Sequence, residues 1–169
     1  TAAAVASLDN NNISILSNVV ASQIDIHQAF GGVVPEIAAR EHVKQILPII
    51  DQTLKQAGLN RQTAPQQLAG LAVTQGPGLL TSLLVGVETA KALSLAWNLP
   101  LVPVHHIAGH IAANFINRDL TKITFPLLTL TVSGGHTALI LLKDYSTYEI
   151  IGQTLDDAAG EAFDKAASL

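Results

Sequence analysis

The sequence predicts an α/β protein built on parallel βαβ units, with the pattern starting a second time before the chain ends. Three observations carry this. Between Gly70 and Asn114, short apolar runs alternate with helix-length segments in the order strand, helix, strand, helix, the signature of parallel βαβ units. From Pro126 to Gly152 three strand-like runs follow one another. The first unit therefore reads β-β-α-β-α-β-α, and the second opens with three strands. The two openings match if one more strand precedes Thr1. The expectation is a duplicated fold, with a first unit over residues 1–124 lacking its first strand and the start of a second over 125–169.

Each element has a local reason. Thr1 to Leu8 and Ile13 to Ser22 are β-tolerant and flank the turn cluster Asp9-Asn10-Asn11-Asn12, so they read as a hairpin. Gly31-Gly32 punctuates the chain, and Pro35 then stands at a first helical position with Glu36 at the positive end of the dipole. Ile37, Val43, Ile46, Leu47, Ile50 and Leu54 recur at helical spacing and Gly58 is the stop. Pro48, inside this run, is expected to kink the helix or remove one backbone bond. Thr63-Ala64-Pro65 reads as a capped turn and Gly70 to Thr74 as a buried strand. Leu79 to Trp97 reads as a buried helix ended by Asn98 and Pro100, and Leu101 to Val104 as a strand leading into a histidine-bearing helix. Further on, Pro126 to Val132, Thr137 to Leu142 and Thr147 to Gly152 read as strands, and a helix starts near Asp156 or Asp157 and runs to the chain end.

Composition removes several classes. The chain of 169 residues suits one domain, or one and part of a second; 49% hydrophobic and 13% charged residues exclude disorder. It begins with Thr1 and contains no methionine, so the natural start is expected to lie upstream. No apolar run reaches the roughly 18 residues of a membrane span; the longest candidate, Leu79 to Trp97, carries Glu88 and Lys91. The absence of cysteine excludes disulfides and thiolate sites and fits a cytoplasmic protein. A net charge of −4 supplies no electrostatic footprint for nucleic acid.

Four stretches could carry chemistry. His106 and His110, spaced i, i+4 on a helix, can give one metal ion a nitrogen each, or be an ordinary polar helix edge. A peptidase helix needs a glutamate after the first histidine; Ile107 stands there instead, so the general base is missing. Gln75-Gly76-Pro77-Gly78 is either a tight βα turn or an anion-facing one. Ser133-Gly134-Gly135-His136-Thr137 is either a plain hairpin turn or one whose amides and hydroxyls enclose a phosphate, with His136 a ligand, a base or a turn residue. Asp157, Glu161 and Asp164 share one helix face; first-turn acids answer the dipole, whereas Glu161 and Asp164 lie deeper, where a ribose or a metal-bound water would give them a role.

Together these motifs resemble the TsaD family, the bacterial-type tRNA N6-adenosine threonylcarbamoyltransferases once called glycoproteases. The likeness rests on Phe30-Gly31-Gly32-Val33-Val34-Pro35-Glu36 with Arg40 and His42, Gly76-Pro77-Gly78-Leu79, Val85-Gly86 with Ala90-Lys91, Val104 to His110, Val132 to Thr137, and Leu155 to Lys165, in order and at family spacing. Phe30, where a tyrosine is common, is a mild departure.

The resemblance implies an actin-like ATPase superfold of two ribonuclease-H-like domains. It implies transfer of an L-threonylcarbamoyl group from threonylcarbamoyl-AMP to N6 of adenosine 37 in tRNAs reading ANN codons, with release of AMP. His106 and His110 match the family's metal ligands, for one divalent ion, iron, with zinc as the alternative. A further ligating aspartate near the family's C-terminus has no counterpart here, so this chain alone is expected to be inactive. Thr131, Val132, Ser133, Gly134 and Gly135 match the substrate loop and Asp164 the substrate-binding aspartate. The implied partners are tRNA, threonylcarbamoyl-AMP, and TsaB-like and TsaE-like proteins, with no membrane. The alternatives are a non-catalytic TsaB-like subunit, against which the histidine pair speaks, and a small-molecule kinase of the same superfold.

Overall fold

A computed structural model describes residues 1–167. Strands β1 (Ala2–Asp9) and β2 (Asn12–Val20) form an antiparallel hairpin with a bulge at Val5/Ala6. Asn10 and Asn11 both take positive φ, the two-residue turn whose twist suits a tight hairpin. A short helix absent from the sequence reading, α1 (Ile24–Gln28), precedes α2 (Pro35–Gln56), which starts at the predicted proline and ends before Gly58, φ +74°. Helix α2 continues through Pro48 as one element. After the helical turn α3 (Ala64–Gln67), β3 (Leu71–Gly76), α4 (Leu80–Trp97) and β4 (Leu101–His105) make one parallel βαβ unit. Helix α5 (His106–Ala112) follows without a loop. Strands β5 (Leu127–Val132), β6 (Thr137–Leu142) and β7 (Tyr148–Gln153) form an antiparallel meander, and α6 (Ala159–Ala167) closes the described chain.

The parallel content is thus narrower than alternation alone predicts: among the described residues there is one parallel pair and two antiparallel sheets. Helix α4 differs from its predicted burial. None of its residues is fully buried, and Leu80 and Leu95 are 71% and 86% exposed. The sheet beside it has only two strands, too narrow to cover an apolar helix. Helix α6 starts two to three residues later than predicted, because Thr154 and Thr137 hold the preceding segment to β6: Thr154 N–H donates to Thr137 O, and Ala159 N–H to Thr137 Oγ1. The last two positions of the predicted helix, 168–169, lie outside the described residues.

Two cores organise the described residues. One joins Val5, Leu54 and Ala64, with Leu68 and Trp97 packed against them. The other joins Ile107 and Ile111 of α5 to Phe115 and to Ile140 and Leu142 of β6. Between the free edges of β1 and β3 lies a groove of about 760 Å³, walled by α2 and α4. Consecutive residues Thr1–Ala6 and Gly70–Thr74 line it, so backbone edges face it. Val5, in the middle of β1, shares a cluster with Leu68, just before β3, and with Trp97, whose helix end leads back to β3 through the Leu71 N–H to Pro100 O bond.

Candidate metal and substrate site

The parallel pair brings two sequence motifs to one place. In the β3–β4 register Gly76 stands beside His105, so the Gln75–Gly78 turn and the start of α5 share the carboxyl end of the strands, where open α/β sheets place their ligands. Helix α5 has seven residues, too few for intrinsic stability. Its anchor is Ile107 and Ile111, which at i, i+4 bury one stripe against β6. The position where a peptidase carries its base is thus a core contact. The same turns put His106 and His110 on the adjacent, outward stripe.

Their Nε2 atoms are 3.1 Å apart and their rings meet edge to face, centroids 4.4 Å apart. A metal–nitrogen bond of about 2.0–2.1 Å at a tetrahedral angle separates two ligating nitrogens by roughly 3.3 Å, so the pair fits a shared ion with little adjustment. Burial lowers the pKa of His106 below the ordinary imidazole value, and the facing His110, His136 and His105 lower it further. Both effects favour the neutral ring, the form that binds metal. Among the described residues no three His, Cys, Asp or Glu side chains converge to hold an ion.

The structure brings His136 to this pair, its ring centroid 6.0 Å from that of His106. Spacing along the chain left its role open; only the fold, by packing α5 on the β5–β6 sheet, reveals the proximity. Thr131 is buried in β5, Val132 is exposed, and Ser133 is half-buried. The Ser133 hydroxyl donates to His136 O and accepts from His136 N–H, so it closes the turn from within. Thr137 Oγ1 accepts from Ala159 N–H. Both hydroxyls the sequence offered to a phosphate therefore have structural partners. The Gly134 and Gly135 amides have none among the described residues, and both residues are exposed.

The acidic stretch divides. Asp157 precedes α6, and it and Glu161 both pair with Lys165, at 2.7 and 3.2 Å. That ion network accounts for the depth of Glu161 without a ligand. Asp164 lies exposed in α6. Of the α2 residues in the motif that starts at Phe30, Arg40 pairs with Glu36, and His42 accepts or donates at Thr1 Oγ1 (2.7 Å) beside the groove, apart from the histidine pair.

Known proteins are similar to this chain over nearly all of it. A family profile described as tRNA N6-adenosine threonylcarbamoyltransferase (TsaD) matches residues 14–169. The tRNA N6-adenosine threonylcarbamoyltransferase of Bacillus subtilis (strain 168) is 55% identical over 99% of this chain and 45% of its own length. Its counterpart in Listeria monocytogenes serotype 4b (strain CLIP80459) is 57% identical over 96% of this chain and 45% of its own. That of Thermomicrobium roseum is 52% identical over 92% and 42%. The chain spans less than half the length of these relatives. The chain belongs to the TsaD family of tRNA N6-adenosine threonylcarbamoyltransferases.

Proposed function

We propose that the protein carrying this chain transfers an L-threonylcarbamoyl group from threonylcarbamoyl-AMP to N6 of adenosine 37 in tRNAs reading ANN codons. The observation that carries it is the family match over residues 14–169, coincident with a histidine pair whose nitrogens stand 3.1 Å apart beside the glycine turn. His106 and His110 hold one divalent ion, iron, with zinc as the alternative; no third ligating side chain converges with them among the described residues. When bound, the ion supplies a Lewis acid that orients and polarises the carbamoyl group.

The chain's own residues do the rest. The Gly134 and Gly135 amides face the adenylate phosphate, Thr131 to Ser133 shape the wall behind it, and Asp164 binds the substrate. N6 attacks the carbamoyl carbon; the new C–N bond forms as the C–O bond to phosphate breaks, AMP departs, and the amine loses one proton. TsaB-like and TsaE-like partners complete the system in the cytoplasm. No helix among the described residues is long and apolar enough to cross a membrane.

The duplicated ribonuclease-H-like arrangement, with units at 1–124 and 125–169, belongs to the same proposal. The groove between β1 and β3 supports it: backbone edges of both strands face a space that a further strand could fill, and the unpartnered Ser82 Oγ lies in its wall. The relatives' names do not favour a kinase or a non-catalytic subunit.

The test uses full-length protein with its partners, tRNA transcript and threonylcarbamoyl-AMP, read by mass spectrometry of the digested tRNA. His106→Ala is expected to lose both metal and modified adenosine. A metal-analysed variant that keeps both overturns the assignment.

A further inference from the structure

We infer that Gly160 is a positioning residue for the phosphate-facing turn: α6 is seated directly on Ser133-Gly134, and only a residue without a side chain permits that seating. This rests on the reading of the turn as the adenylate site. A Cβ built on Gly160 would lie 2.6 Å from Ser133 O and 2.8 Å from Gly134 N, closer than real Cβ atoms approach backbone. Both atoms belong to the turn's main chain, so neither can swing aside as a side-chain tip could.

The contact is bonded as well as close. Gly160 N–H donates to Ser133 O at 3.2 Å, and one residue earlier Ala159 N–H donates to Thr137 Oγ1 at 2.8 Å. The first two amides of α6 thus grip the turn at both ends, on Ser133 and on Thr137. Inside the grip, Ser133 and His136 close the turn on each other, and the Gly134 and Gly135 amides are left without a partner among the described residues. Two adjacent glycines have the widest backbone freedom of any pair, so their amides converge on one anion only if something outside the turn holds them. Helix α6 does so.

The backbone at Gly160 is not in the left-handed region, and alanine is the better helix former. Local propensity therefore predicts that Gly160→Ala does no harm, whereas the seating predicts a displaced turn. The test uses full-length protein and AMP as the probe, with metal content and hydrogen exchange of the 133–136 amides measured in parallel. Gly160→Ala is expected to weaken AMP binding at least tenfold and to speed exchange in the turn, with the metal retained. It should raise KM for threonylcarbamoyl-AMP more than it lowers kcat. Gly152→Ala, where an added Cβ meets only Leu139 Cβ at 3.8 Å, is the silent control. If Gly160→Ala does not fold, Thr137→Val takes its place, with Thr137→Ser expected to restore binding and slow exchange. Wild-type protein that fails to bind AMP refutes the adenylate site itself. Wild-type binding matched by Gly160→Ala, or by Thr137→Val with unchanged exchange, refutes the positioning role alone.

Discussion

Ile111→Ala separates the two faces of α5. Ile111 is 5% exposed and packed in the cluster with Phe115, Ile140 and Leu142. The substitution removes three carbon groups, worth about 2.4 kcal/mol at roughly 0.8 kcal/mol each. The cavity left against a well-packed sheet brings the cost to about 3–4 kcal/mol, inside the usual range for such truncations of about 2–5 kcal/mol. Seven residues cannot remain helical without that anchor, so the i, i+4 geometry that sets the nitrogens 3.1 Å apart loosens with it. Urea denaturation of metal-free full-length protein should show this loss, and Co²⁺ titration followed in the visible should show weakened binding. His110→Ala is the complement. His110 is exposed, and substitutions of surface residues stay within about 0.5 kcal/mol, so metal binding vanishes while stability is kept. An Ile111→Ala protein within about 0.5 kcal/mol of wild type, or one that binds Co²⁺ as wild type does, would refute the argument that burial of Ile107 and Ile111 builds the site.

Two further predictions concern elements around the site. Thr53, 2% exposed, shares its one hydroxyl proton between Ile49 O at 2.8 Å within α2 and Ala3 O at 3.3 Å on β1; Thr53→Val should cost about 1 kcal/mol in chemical denaturation, and an unchanged midpoint would show that bond to be inert. In the β6–β7 turn, backbone and side-chain bonds from Ser146, then from Thr147, hold the Asp144 carboxyl down from 3.8 to about 2. A depressed carboxylate stabilises above its unfolded value and loses that contribution as pH falls through the folded one. The melting-temperature gap between wild type and Asp144→Ala should therefore be full above pH 3.8 and close toward about pH 2; a gap independent of pH would contradict it.

Local signals in the sequence were enough for the hairpin, the βαβ unit, the meander and most helix bounds. Asn10-Asn11, Pro35 and Gly58 act through their own backbone preferences, which need no neighbours. The pairing of His106 with His110 was legible for the same reason, since four residues on a helix determine it. Tertiary packing decided what local preference does not encode. The burial of α4 depended on how many strands lie beside it, and two cannot cover it. The late start of α6 depended on bonds from Thr137 and Thr154. His136 joined the histidine pair because Ile107 and Ile111 bury against β6, a contact between segments some thirty residues apart. Glu161 turned from a candidate ligand into a partner of Lys165. The chemistry-bearing residues are thus readable from spacing within one element. Which of them meet is set by apolar burial between elements, and burial is a property of the folded whole.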